Sequence, residues 1–301
     1  MTKQLSFTAF LFLFITTHVS AQTTAVLRQK IQQIVSAKKA VVGVSIMGND
    51  GKDTLSLNGD RHYPLQSVFK FHIGLAVLSQ IDQGKFSLTQ KINIEKKDLL
   101  PNLYSPIRDK YPQGGSLTIA EILEYTVSSS DNVGCEVLLR LIGGPQVVEA
   151  YFANNHFKDI SIKYNEEQQQ GNWELQFQNW TTPKAANEVL AAYYYNTQKL
   201  LSPKSHEFIW QTMKAGETGK ARLKGQLPPG TVVAHKTGSS GTNGQGLTAA
   251  VNDIGIVFLP NGQHFFISVL VTDSKEDADT NEKIIADIAK AARDHFMTKP
   301  K

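Results

Sequence analysis

Apolar positions along this chain change their period twice. Val26, Ile31, Ile34 and Val35 recur at helical spacing, which predicts a helix over 24–37. Two short runs follow, 40–47 and 53–58. They flank Asn49-Asp50-Gly51, whose Asp-Gly pair favours a tight hairpin. From Ser67 the period returns to that of a helix. An apolar helix runs to about Gln83 before Gly84, and Thr118 with Glu121 makes a capping box for another to about Val127. Residues 132–142 give a third, stopped by Gly143-Gly144, and Pro145 suits the first turn of a fourth. Thr182-Pro183 and Ser202-Pro203 each set a capping hydroxyl before a proline, opening two more. Ahead of these two, 158–181 carries no period, and an irregular stretch that long inside a compact domain is usually functional. Strands return over 232–238, 248–259 and 264–272, with Asn261-Gly262 turning the last hairpin, before a closing helix over 277–296.

Strands at both ends with helices between them predict an α/β, two-lobed architecture. Residues 22–64 and 215–301 form an antiparallel five-stranded sheet flanked by terminal helices, and 65–214 form an all-helical lobe. The two make a single catalytic domain over 22–301, without internal repeats or low-complexity linkers. A site is expected in the cleft between the lobes.

Residues 1–21 have the pattern of an export signal: Lys3, a largely apolar run from Leu5 to Val19, and the small Val19-Ser20-Ala21 before a cleavage at Gln22. That implies a secreted or periplasmic protein. An uncleaved anchor would want about 20 apolar residues, and Thr16, Thr17 and His18 interrupt this run. The formal charge of +4 falls by one when Lys3 leaves with the signal, which makes no basic patch. Nucleic acid and membrane surfaces are therefore poor partners, and a monomer is expected. The single cysteine, Cys135, excludes an internal disulfide and reads as a small buried helix residue. None of the eight histidines forms an H-x-H or H-x-x-x-H pair, so neither metal nor cofactor is expected. His62, His72 and His235 read as partly buried, hydrogen-bonded side chains.

Three short motifs carry the chemistry. Ser67-Val68-Phe69-Lys70 opens an apolar helix. Three residues apart, its serine and lysine share a face, so the amine can reach the hydroxyl and help remove its proton. Ser130-Asp131-Asn132 sits in a turn between helices, where each of its residue types also serves as an N-cap. Lys236-Thr237-Gly238 ends a strand. Each alone has a bland structural reading, but S-x-x-K, S-D-N and K-T-G in this order and setting form a strong joint signal.

On these motifs the sequence resembles the class A serine β-lactamases over essentially the whole chain after the signal, with the serine β-lactamase/D,D-peptidase-like fold. The stretch Asn165-Glu166-Glu167-Gln168 through Gln176-Phe177-Gln178-Asn179-Trp180-Thr181, and that around His235-Lys236-Thr237-Gly238, most resemble the PER- and VEB-type extended-spectrum branch. The resemblance implies a β-lactam as small-molecule substrate, opened through an acyl-enzyme. Ser67 is then the nucleophile, Lys70 its proton partner, and Ser130 the donor to the departing nitrogen. Asn132 binds the acyl-amide side chain, Lys236 and Thr237 face the substrate carboxylate, and the N–H groups of Ser67 and Ser239 form the oxyanion hole. Gly238 lies in the same strand end. Tyr104, in Tyr104-Ser105-Pro106, matches an aromatic that lines the cleft, and Arg222 matches an arginine that some members aim at the carboxylate, a surface arginine being the alternative.

Glu166 is implied as the base that activates the deacylating water, a contribution of roughly 10²- to 10⁴-fold. Glu167 is its rival by register. Two departures from the commonest pattern, Gln170 and Glu136 where most members have Asn, predict a differently folded loop, a wider cavity and a preference for cephalosporins. The competing readings are a penicillin-sensitive D,D-peptidase, which lacks the Glu166 loop, and a β-lactam sensor domain, which stays acylated.

Overall fold

The computed structural model describes residues 24–49, 51 and 54–298. The signal predicted over 1–21 and Asp50 of the first hairpin turn lie outside the described residues. The chain opens with helix α1 (24–36) and strands β1 (Val41–Gly48), β2 (Thr54–Leu57) and β3 (Tyr63–Pro64). Helix α2 (Phe69–Asp82), β4 (Lys91–Glu95), α3 (Pro106–Lys110), β5 (Gly114–Thr118), α4 (Ile119–Val127), α5 (Asn132–Ile142) and α6 (Pro145–Asn154) follow. Then come β6 (Ile160–Ser161), α7 (Glu166–Gly171), β7 (Trp180–Thr181), α8 (Pro183–Tyr195) and α9 (Pro203–Lys214). Strands β8 (Val233–Ser239), β9 (Val251–Phe258) and β10 (His264–Thr272) and helix α10 (Ala278–Met297) close the chain.

The predicted five-stranded sheet forms, antiparallel throughout, in the order β2-β1-β10-β9-β8. Its four longer strands are buried almost end to end because both faces are covered, while the edge strand β2 is largely not. Along β10 the residues alternate between two cores. Phe265, Ile267, Val269 and Val271 pack with Leu27 and Ile31 of α1 and Ile284 and Ile288 of α10. Phe266 and Leu270 face the helices of the other lobe, including Leu190 and Tyr193 of α8. Asn187 of α8 adds a buried polar tie, donating to Ser45 Oγ at 3.1 Å and accepting from Ser268 Oγ at 2.7 Å.

Helix α2 is apolar all round, and Phe69 through Ser79 are all buried. Truncating a side chain such as Leu75 or Leu78 there would cost about 2–5 kcal/mol. The S-x-x-K motif thus opens a helix buried over most of its length. Predicted caps are present: the Thr118/Glu121 box, Thr182 and Ser202 before their prolines, and left-handed Gly143 after α5. The lobe also carries an antiparallel β4–β5 pair and shares a small β3-β7-β6 sheet, neither of which the apolar pattern predicted. Nor is 158–181 irregular throughout, since it holds α7, a 3-10 turn over Trp173–Gln178 and two short strands. Among the described residues no helix is long and apolar enough to cross a membrane.

Candidate active site

Residues from both lobes meet at a cavity of about 470 Å³. Its floor is a single 3-10 turn, Gln66–Val68, that leads directly into α2. Gln66 has φ +47°, a left-handed backbone that costs a non-glycine residue about 1–3 kcal/mol. The turn is pinned on either side, by Leu65 N–H donating to Asn179 O at 2.8 Å and by Asn252 Nδ2 donating to Pro64 O at 2.7 Å. Gly238 at the end of β8 allows the sheet to approach it. A Cβ there would lie 2.6 Å from Leu65 O.

Lys70, one turn of helix beyond Ser67, is fully buried. Its ammonium donates to Ser67 Oγ at 2.6 Å, to Asn132 Oδ1 at 2.7 Å and to the Glu166 carboxylate, whose Oε1 is also 3.5 Å from Ser67 Oγ. Three side chains, one each from the S-x-x-K motif, the S-D-N motif and the 158–181 loop, therefore converge on one amine. Glu167 points to solvent, in agreement with the register that favours Glu166.

The loop that delivers Glu166 is folded by its own polar side chains. Asn165 and Gln168 form a capping box for α7, and Asn179 Oδ1 accepts from Lys163 N–H at 2.8 Å and Tyr164 N–H at 3.0 Å. Glu136 on α5 accepts both Glu166 N–H at 2.7 Å and Glu167 N–H at 3.1 Å through one carboxylate oxygen. The position expected to brace the loop does so with a carboxylate at the first turn of α7, where the helix dipole favours negative charge. Burial still pushes the Glu136 pKa up.

Ser130 occupies a left-handed turn at φ +62°. Asp131 fixes that turn by accepting from Ser105 Oγ, Ile107 N–H and Gly134 N–H, while Asn132 N–H donates to Tyr104 O at 3.1 Å. Tyr104 is exposed on the cavity wall. Across the cleft, Lys236 Nζ donates to Ser130 Oγ at 2.9 Å and to Thr237 O at 3.0 Å. Lys236 is buried and, among the described residues, has no carboxylate within ion-pair distance. Burial first, and the Lys70 charge second, hold its pKa well below the ordinary lysine value. A buried cation without a counter-ion is costly, and it suits an anionic ligand.

Arg222 is buried, which excludes the surface alternative. It donates to Gly238 O and Asn252 O, each at 3.0 Å, to Ser239 Oγ at 2.6 Å and to Glu282 at 3.1 Å, so it braces the end of β8 while lining the cavity. Thr237 Oγ1 pairs with Thr218 Oγ1 at 2.6 Å. Gln170 lines the cavity with its side chain exposed, whereas its neighbour Gln169 is buried there and its Oε1 has no hydrogen-bond partner.

The histidines are corrected in detail. His62 is exposed and stacks on Trp180 at 3.5 Å rather than being partly buried. His72 is fully buried with Nε2 unpartnered. His235 is buried against Asp253 at 3.0 Å. Cys135 is buried in α5, where burial raises its thiol pKa well above the ordinary value. Among the described residues no group of three or more His, Cys, Asp or Glu is arranged to hold a metal ion.

Sequence reasoning missed Gln66, Gln169, Trp173, Gln176, Thr218 and Gly219, all of which line the cavity.

A model of the beta-lactamase enzyme family matches residues 26–296. The chain is 53% identical over 289 residues to beta-lactamase VEB-1 of Pseudomonas aeruginosa, covering 96% of each chain. It is 43% identical over 275 residues to the extended-spectrum beta-lactamase PER-1 of the same organism, covering 91% of this chain and 88% of that one. A crystal structure of a class A beta-lactamase representative from Bacteroides cellulosilyticus superposes with a TM-score of 0.88 at 38% identity, over 92% of this chain and 99% of that one.

Proposed function

Because the chain belongs to the class A serine β-lactamases, we propose that it opens β-lactam rings through a Ser67 acyl-enzyme that a Glu166-activated water hydrolyses. The observation that carries this mechanism is the convergence of Ser67 Oγ, Asn132 Oδ1 and the Glu166 carboxylate on the Lys70 ammonium.

In the acylation half, Ser67 Oγ attacks the lactam carbonyl carbon as its proton passes to the Lys70/Glu166 pair. The N–H groups of Ser67 and Ser239 stabilise the oxyanion. Collapse breaks the carbon–nitrogen bond, and Ser130 Oγ donates its proton to the departing nitrogen. Ser130 then takes up the proton that the Lys70/Glu166 pair removed from Ser67, which leaves Glu166 ionised for the second half and Lys236, whose Nζ donates to Ser130 Oγ, still charged. The Lys236 ammonium, with Thr237 and Arg222 beside it, receives the substrate carboxylate, and Asn132 binds the acyl-amide. In the deacylation half, Glu166 takes a proton from water, the hydroxide adds to the acyl carbon, and collapse returns the proton to Ser67 Oγ.

The exposed Gln170, the carboxylate brace at Glu136 and the cavity volume support room for bulky acyl groups, so cephalosporins, oxyimino compounds included, are favoured over penicillins. The reading includes an export signal over 1–21 cleaved after Ala21, a single catalytic domain over 22–301 with lobes 22–64 plus 215–301 and 65–214, and a monomer.

The test is mass spectrometry of Glu166→Ala mixed with cefotaxime and, separately, with benzylpenicillin. A stable adduct at Ser67 should accumulate with both, while wild type returns to its free mass and turns over cefotaxime the more efficiently. If Glu167→Ala traps the adduct and Glu166→Ala does not, the base is misassigned by one residue. Wild type that stays acylated is a D,D-peptidase or sensor. Efficient penicillin turnover with none of cefotaxime overturns the substrate preference.

A further inference from the structure

We propose that Trp173 is a specificity-determining residue of this site, the platform on which a planar ring in the acyl group of a β-lactam substrate stacks. The inference rests on the β-lactam hydrolase reading and deepens it.

The cavity wall is divided by chemistry. The sheet side presents Lys236 with Thr218, Thr237 and Arg222 at or beside the wall, a cationic and hydroxylated end suited to a carboxylate. The loop side presents side-chain amides, from Gln169, Gln170 and Gln176, and the indole of Trp173. A bicyclic β-lactam with its carboxylate at the sheet end and its carbonyl over Ser67 directs its acylamino substituent away from the sheet end, toward the loop. The large apolar surface it meets on that wall is Trp173.

The indole is held for this purpose. Phe177 packs edge-on against it, with ring centroids 6.4 Å apart and planes at 71°. Its backbone carbonyl accepts from Gln176 Nε2 at 2.8 Å, and Gln176 Oε1 in turn accepts from Gln66 Nε2 at 2.6 Å. Gln66 is the residue before Ser67, in the same 3-10 turn. Two hydrogen bonds, relayed by the Gln176 side chain, therefore tie the backbone of the tryptophan to the nucleophile's own turn. The Asn172 side chain accepts from Glu174 N–H at 2.9 Å and fixes the backbone on its other side. Trp173 is only half-buried, so one part of the ring remains open to a ligand.

The test compares two cephalosporins with the same nucleus, one carrying a thienyl or aminothiazolyl acyl group and one an acetyl group. Stacking of the kind aromatic pairs make predicts that Trp173→Ala lowers kcat/KM for the ring-bearing compound by roughly twofold to tenfold, chiefly through KM. The acetyl compound should be unaffected, and Trp173→Phe should restore most of the loss. Equal losses for both compounds, or none for either, overturn the proposal, because a merely structural tryptophan cannot discriminate between acyl groups. Should Trp173→Ala fail to fold, Trp173→Leu replaces it, and an unchanged ratio between the compounds overturns the proposal just as well. Wild type that opens neither compound overturns the hydrolase reading itself, a result that selective or unselective loss in the variant cannot imitate.

Discussion

Removing the Glu136 carboxylate separates the two halves of the proposed reaction. One oxygen of Glu136 accepts both Glu166 N–H and Glu167 N–H, at 2.7 and 3.1 Å. Hydrogen bonds to an ionised group contribute about 1.5–3 kcal/mol each. Part of that is returned as the cost of burying the carboxylate, which the upward push on its pKa records. A net loss of about 2–4 kcal/mol for Glu136→Ala follows, confined to docking of the loop rather than to global folding. An undocked loop carries Glu166 away from Ser67. Deacylation should then slow by roughly tenfold to a hundredfold, less than the roughly 10²- to 10⁴-fold that outright loss of a general base costs. Glu136→Gln keeps one acceptor oxygen and should lose only about threefold, the difference between charged and neutral acceptors. Rapid-quench mass spectrometry reads both steps, as the rate at which the acyl-enzyme mass appears and the rate at which it decays. The expected result is accumulation of acyl-enzyme with little change in its formation. Wild-type decay in Glu136→Ala, or equal slowing of both steps, refutes the assignment of Glu136 as the brace of the deacylating base.

Two further predictions concern pH. Lys236 binds a carboxylate only while charged, and burial holds its pKa well below the ordinary lysine value, so kcat/KM should fall on the alkaline side at a lower pH than an exposed lysine allows; Lys236→Arg, charged throughout, should move that limb upward, and an unmoved limb removes Lys236 from carboxylate binding. His72 is lowered from 6.5 to about 4 by burial, so the native ring stays neutral where the unfolded one takes a proton. The unfolded state then binds more protons, and stability falls as pH drops from about 6.5 to 4, by about 3 kcal/mol in all. The urea midpoint of wild type should fall relative to that of His72→Leu as the pH is lowered through that window, and parallel curves would falsify the burial argument.

What the sequence made legible was local. Ser67 and Lys70 share a helix face by spacing alone, Thr118 and Glu121 cap each other across three residues, and the apolar run over 264–272 predicted β10 to the residue. Helix α7 was missed because six residues of Glu, Gln and Gly carry no apolar period, leaving its capping box as the sole trace. The partners of the site were hidden by distance along the chain. Thr218 meets Thr237 and Gln66 meets Gln176 only once the strands and the loop are in place, and His235 meets Asp253 through the β8–β9 register. The role of Glu136 was half legible, since its position suggested a brace while only the folded loop gives it two N–H groups to bind.

Backbone strain sorts the same way. Eight non-glycine residues among those described have a left-handed backbone, and five of them are Asn, Asp or His, the types that adopt it most readily. Of the other three, Gln66, Ser130 and Lys199, two line the cavity. Neither Gln nor Ser gives any hint of this in the sequence, because their residue types do not ask for the conformation. It is imposed from outside, on Gln66 by the Asn252 and Asn179 contacts that hold Pro64 and Leu65, and on Ser130 by Asp131 gathering Ser105, Ile107 and Gly134. Those contacts rest on the sheet and on the core of the helical lobe packed against it, so packing away from the chemistry keeps both serines where an unconstrained chain would not leave them.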